Sequence, residues 1–136
     1  MSSTHVAIRV AAVAAVAAVS NLLPAHAHHS YGMFDHCTAT TLEGEVNSIE
    51  WVNPHIVLYL RTRDVDSYRV EWYSLLQLQR ERIATETLKV GDRVTITGHA
   101  MRDPKLKVLS LLSEIRGPAG WAWTRTREPP ASCAAG

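Results

Sequence analysis

Histidine is the residue type with the clearest capacity for chemistry in this 136-residue chain. A neutral imidazole nitrogen is a common ligand of zinc, copper and nickel ions. If the chain is cleaved after Ala27, His28 offers its α-amino group and its imidazole to one metal ion, a chelate that residues inside a chain cannot form. His55 is the expected second imidazole, because Pro54 stiffens the turn that presents it. With His29 as a further candidate ligand, these residues predict a three-nitrogen site suited to copper.

Two further histidines and two methionines are weaker candidates for metal binding. His36 lies beside Cys37 in a segment without a periodic pattern, and His99 ends a predicted strand. Met33 and Met101 carry thioether groups that could bind Cu(I), although a methionine near an apolar core more often has a packing role. The alternative for the histidines is a role without metal, either as exposed residues near a processing site or as hydrogen-bonding residues in a turn.

The first 27 residues have the pattern of a secretory signal peptide. Arg9 is the only charged residue among them, residues 10–19 are an unbroken run of Ala and Val, and residues 25–27 form a small-residue cleavage sequence. The apolar run is short for a membrane span, which needs about 20 apolar residues. We therefore expect removal of residues 1–27, no retained membrane span, and a periplasmic or secreted mature protein.

The charge of the mature chain argues against nucleic acid as a partner. The full chain has 14 Lys and Arg residues and 13 Asp and Glu residues, and loss of Arg9 with the signal peptide leaves 13 of each. Binding to phosphate groups requires a clustered excess of basic side chains. The expected partner is therefore a metal ion or a periplasmic protein.

Two cysteines flank the mature domain. Cys37 and Cys133 could form a disulfide, because exported proteins meet an oxidising environment. Two unpaired thiols are the alternative, since sequence alone does not show whether the two ends of the domain meet.

Hydrophobic alternation predicts a mainly β domain over residues 40–116. Five short strands have period-two patterns, and a short helix with Ser74 as its expected N-cap lies between the third and fourth strands. This order is that of a small OB-like five-stranded barrel. An open α+β sheet is the alternative, but Gly44 and Gly98 lie within strand patterns, where a small barrel must bend. The strands are predicted near residues 38–51, 55–63, 68–73, 93–99 and 107–115.

The remaining parts of the mature chain lack such patterns. Residues 28–39 are expected to form an N-terminal segment before the barrel, and residues 117–136 a flexible C-terminal tail. Trp121 and Trp123 are the part of this tail that could fold back onto the barrel.

Several motifs of the chain resemble those of one family of small exported bacterial proteins. They are His28-His29-Ser30 with Phe34-Asp35, Gly44-Glu45-Val46, Trp51-Val52-Asn53-Pro54-His55, Val70-Glu71-Trp72, and Leu88-Lys89-Val90-Gly91-Asp92-Arg93-Val94-Thr95 ahead of Gly98. On these motifs the chain resembles domain of unknown function 6152 over residues 27–115. The resemblance implies an exported small β domain and no established activity. The chain departs from the family in residues 64–67, which lack a glycine-rich turn, and in its tryptophan-rich stretch after Gly117.

The expected function is therefore non-enzymatic metal binding, with one alternative of a different class. In that alternative, Trp51, Tyr59 and Trp72 form an aromatic barrel face that binds a peptide, a glycan or a protein partner. An enzymatic role ranks third, because the chain has no recognisable nucleophile motif or phosphate-binding loop and is short for a substrate cleft.

Overall fold

The computed structural model describes residues 31–126 of the protein. Its regular elements are β1 (Phe34–Glu50), β2 (Val57–Thr62), β3 (Tyr68–Glu71), α1 (Leu75–Arg80), β4 (Arg93–Met101), β5 (Val108–Arg116) and β6 (Ala122–Thr124). Short 3-10 turns precede β1 and β6. Within the described part of the chain, no helix is long and apolar enough to cross a membrane.

The six strands form one sheet in which five strands close into a ring. The strand order is β3-β2-β1-β4-β5-β6, with antiparallel pairing between neighbours. β3 also pairs in parallel with β5, where Arg69 lies opposite Val108 and Val70 lies opposite Leu109. This pairing closes the ring. The predicted mainly β class is confirmed, with one short helix between the third and fourth strands.

β1 is long because it pairs with two strands at different points along its length. Its residues 34–45 lie opposite β4, and its residues 44–50 lie opposite β2. The pairing with β4 is irregular between Phe34, which lies opposite Met101, and Ala39, which lies opposite His99. Over this stretch β1 advances by five residues while β4 advances by two. The extra residues of β1 bulge out of the ladder there.

Aliphatic side chains fill the interior of the ring. Strand alternation directs Leu58 and Leu60 of β2 and Ile96 of β4 inward, and each is almost completely buried. Full burial of such a side chain is worth about 1.5–3 kcal/mol relative to exposure. No polar or charged residue among residues 31–126 is buried, so the histidines and carboxylates considered below lie at the border of this core or outside it.

The helix begins where the sequence predicts it. The Ser74 side chain accepts a hydrogen bond from the Gln77 backbone N–H at 3.3 Å, and the Gln77 side chain accepts one from the Ser74 backbone N–H at 3.1 Å. This reciprocal capping box satisfies donors that the first helical turn leaves unpaired. Leu78 is the residue of α1 that packs into the core.

The chain after Gly117 adds an edge strand to the ring. β6 pairs with β5, and Trp123 lies opposite Ile115 with only 6 % of its surface exposed. Its indole Nε1–H donates to the Glu81 carboxylate at 2.5 Å. Within the stretch from residue 117 predicted as a tail, Trp123 thus folds back onto the ring, as expected of Trp121 and Trp123, and the chain is part of the fold up to Thr124. Similarly, β1 begins at Phe34, within the predicted N-terminal segment.

Candidate metal-binding histidines

His55 lies in the loop between β1 and β2, directly before a firmly held backbone segment. The next residue, Ile56, is completely buried. Its N–H donates to the Tyr73 carbonyl at 3.0 Å, and its carbonyl accepts from the Trp72 N–H at 2.8 Å. Both main-chain groups of Ile56 are thus fixed to the residues that follow β3. This pairing holds the backbone that carries His55.

The His55 imidazole makes a hydrogen bond that defines its tautomer. Nδ1 lies 3.2 Å from the Trp72 carbonyl oxygen. A carbonyl oxygen only accepts, so Nδ1 carries the hydrogen in the neutral ring, and Nε2 has the lone pair that a metal ion requires. Metal-ligating histidines commonly donate their second ring N–H in this way. His55 therefore has the orientation expected of an Nε2 ligand.

The other members of the predicted copper and disulfide sites lie outside the described residues. His28 and His29 precede residue 31, and Cys133 follows residue 126. Cys37 lies in the exposed part of β1, where its backbone N–H donates to the Asp35 carboxylate at 3.0 Å. The copper ligand set and the disulfide stay predictions.

The three aromatic residues of the alternative site lie in different surroundings. Trp72 is 3 % exposed and packs edge-on against Trp123, with ring centroids 5.4 Å apart. Tyr59 is half-buried and alternates with the inward-facing Leu58 and Leu60, so it points away from the core. Trp51 is half-buried and packs against the core. Because Trp72 is buried, an aromatic ligand surface would rest on Trp51 and Tyr59.

The structure brings together two histidines that the sequence ranked low. His36 in the β1 bulge and His99 in β4 have ring centroids 6.1 Å apart and planes inclined by 31°. His99 Nδ1 lies 2.8 Å from the Asp35 carbonyl oxygen, so His99 has the same tautomer as His55. Sequence spacing gives no signal for this pair, because the irregular register between β1 and β4 creates the contact.

Asp35, whose main-chain carbonyl accepts from His99, has a carboxyl group that favours its ionised form. Its pKa is lowered below the ordinary value, chiefly by the hydrogen bond from the Cys37 backbone N–H and then by one from the Thr38 side chain. Both donors lie in the irregular stretch of β1, so the Asp35 carboxylate stabilises the backbone of that stretch.

Clusters of three or more conventional metal ligands do not occur in the described range. Among residues 31–126, no group of three His, Cys, Asp or Glu side chains is arranged to hold a metal ion. A metal site built there from these side chains would need ligands of another type or from another part of the chain.

An open cleft lies on the ring near the end of β2 and the start of β4. It has a volume of about 340 Å³, and its lining includes Glu43, Glu45, Arg61 and Arg93. Arg61 and Glu45 form an exposed ion pair at 3.7 Å. The cleft thus has mixed charge and carries no histidine or cysteine among its lining residues.

Comparison with known proteins supports the resemblance drawn from the motifs. A family model described as "Family of unknown function (DUF6152)" matches residues 14–110. No curated protein and no solved structure matches the chain. The family match includes β1 to β4 with both histidines of the His36–His99 pair, and His55. Because it covers more than half of the sequence, the chain belongs to the DUF6152 family of unknown function.

Proposed function

We propose that the mature protein is an exported, non-enzymatic domain that binds a transition metal, with copper as the expected ion. Its ligands are the α-amino group and imidazole of His28 and the imidazole of His55, with His29 as a further candidate. Such a protein would serve metal transport, storage or delivery outside the cytoplasm. The observation that carries the proposal is the hydrogen bond from His55 Nδ1 to the Trp72 carbonyl.

The setting of His55 supports a role as a ligand. A ligand that is already oriented loses less conformational freedom when the metal binds. The hydrogen bond to Trp72 fixes the ring, and the paired main-chain groups of Ile56 fix the backbone. A hydrogen bond of this kind also makes the second ring nitrogen a better donor to the metal.

Copper is favoured by the number and type of ligands. An N-terminal histidine supplies two nitrogen atoms to one ion, and His55 supplies a third. For nitrogen ligands, divalent copper binds more tightly than the other divalent ions of the first transition series. The metal requires a free α-amino group at His28, so the proposal depends on cleavage after Ala27.

The first experiment is a titration of Cu(II) into the chain that begins at His28, followed by electron paramagnetic resonance. A second chain carries an acetyl group on the α-amine of His28, which removes the amine ligand and leaves every side chain in place. We expect a nitrogen-rich Cu(II) signal from the first chain and its loss from the second. Equal, weak binding by both chains would overturn the proposal and direct attention to partners of Trp51 and Tyr59.

The role of His55 as a Cu(II) ligand is tested by comparing substitutions of two similar histidines. His55→Gln should weaken Cu(II) binding by tenfold or more, because it removes one of three ligands. His99→Gln is the control, since His99 is also half-buried and also bonds a main-chain carbonyl through Nδ1. If both variants bind Cu(II) as the parent chain does, His55 is not a ligand.

A further inference from the structure

The His36–His99 pair has the separation expected of two imidazoles that share a metal ion. At metal–nitrogen distances of about 2 Å, two imidazoles on one metal have ring centroids about 5 Å apart at a tetrahedral angle and about 6.3 Å apart when the two bonds are collinear. The observed 6.1 Å lies at the open end of this range. The pair therefore suits an ion that accepts a wide nitrogen–metal–nitrogen angle.

His99 is held in place from two sides. Its Nδ1 donates to the Asp35 carbonyl at 2.8 Å, which makes Nε2 the nitrogen available in the neutral ring for a metal. The preceding residue, Gly98, lies so close to β5 that a Cβ atom there would come within 2.7 Å of the Ser110 carbonyl oxygen. The ring and the backbone of His99 are thus both constrained without a bound metal.

A methionine lies on the same face of the sheet as His99. Side chains two residues apart in a strand point to the same side, so Met101 follows His99 on the outer face of β4, while Gly98 faces inward. Met101 lies opposite Phe34, at the start of the bulge that carries His36. Its thioether is a soft ligand.

We propose that His36, His99 and Met101 form a Cu(I) site on the outer face of β1 and β4. Two imidazoles and one thioether give a three-coordinate set, and soft ligands select Cu(I) over harder ions. Zinc would require a fourth ligand and a narrower angle. The described residues place no third histidine, cysteine or carboxylate in a cluster with the pair. This site is independent of the copper site proposed at His28 and His55.

The test is an anaerobic competition between the chain beginning at His28 and a coloured Cu(I) chelator, with Cu(I) itself as the probe. We expect one Cu(I) bound, and a loss of tenfold or more in affinity for His36→Gln and for His99→Gln. Lys105→Gln, an exposed substitution in the loop after β4, is the control and should bind Cu(I) as the parent does. X-ray absorption should detect two nitrogen neighbours and one sulfur neighbour of the copper.

The thioether ligand is tested by a second matched pair. Met101→Leu should lose the sulfur neighbour and part of the affinity, whereas Met33→Leu, which alters a more exposed methionine on the preceding turn, should lose neither. Loss of sulfur in Met33→Leu alone would overturn the assignment of Met101. Heteronuclear NMR spectra of each variant establish that the domain remains folded.

Two further outcomes separate this proposal from the preceding one. The chain acetylated at His28 should keep its Cu(I) affinity, even though its Cu(II) signal is expected to be lost. If His36→Gln and His99→Gln bind Cu(I) as tightly as the parent chain does, the proposed site does not exist, whatever the result with Cu(II).

Discussion

His55 and His99 make the same hydrogen bond in two different parts of the ring. Each has Nδ1 next to a main-chain carbonyl, at 3.2 Å for His55 and 2.8 Å for His99. The carbonyl that binds His55 belongs to Trp72, whose side chain lies in the core, whereas the carbonyl that binds His99 belongs to Asp35 in an irregular part of β1. The core thus supports one histidine, and a bulge supports the other.

The two regions are held in place by different kinds of contact. Near His55, the rings of Trp121 and Trp123 each pack edge-on against Trp72, so the backbone there depends on buried apolar surface. Near His99, most side chains of β1 are exposed or half-buried, and the backbone depends on strand pairing and on a close approach at Gly98. Substitutions can therefore affect one region and spare the other.

The largest effect is expected from Trp72→Ala. Removal of this buried ring leaves a cavity in the aromatic cluster, and we expect the free energy of unfolding to fall by about 3–5 kcal/mol. Urea denaturation followed by far-ultraviolet circular dichroism measures the change. The Ala variant keeps the main-chain carbonyl that binds His55, but the loss of packing at Trp72 should loosen the position of that carbonyl.

Trp72→Phe is the matched control for that substitution. The Trp72 indole N–H is buried and has no hydrogen-bond partner among residues 31–126. Phenylalanine keeps most of the ring and removes this unsatisfied donor, so its cost should be much smaller than that of alanine. Equal losses for Phe and Ala would show that the cavity is not the cause.

A smaller effect, confined to the other region, is expected from Gly98→Ala. The added Cβ would meet the Ser110 carbonyl oxygen at 2.7 Å and a Leu112 methyl group at 2.8 Å, and a backbone atom cannot move aside easily. We expect a loss of about 1–3 kcal/mol in the free energy of unfolding. In NMR spectra, shifts should concentrate at β4 and β5, and the resonances of His55 should be unchanged. Equal shifts at His55 would contradict the separation of the two regions.

The sequence predicts the parts of this molecule that depend on local patterns. Period-two alternation and the Ser74 cap predict the strands and the helix, because inward and outward residues follow the pleat of a strand directly. The sequence also indicates His55 as a candidate site residue, because Pro54 directly before it stiffens the turn. These features need no knowledge of distant partners.

The features that the sequence did not predict all depend on long-range register. His36 meets His99 only because β1 and β4 slip by three residues between Phe34 and Ala39. The sequence allows Trp123 to fold back but does not predict its partners, which are β5 through β6 and the Glu81 carboxylate that accepts from its indole. Local sequence patterns do not predict such contacts, because the residues that meet are far apart in the chain.

The smallest effect is expected from the removal of either histidine ring in the absence of metal. His55→Gln and His99→Gln, measured without metal, each replace the ring that bonds a main-chain carbonyl, and a hydrogen bond of this kind contributes about 0.5–1.5 kcal/mol. Both histidines are half-buried, so we expect losses of at most about 1 kcal/mol in urea denaturation. His99→Gln should cost more, because its bond is shorter and because its ring also contacts His36. In the structure the core holds the His55 ring in place. A larger loss for His55→Gln would contradict this, because it would mean that the core and its aromatic cluster depend on the ring.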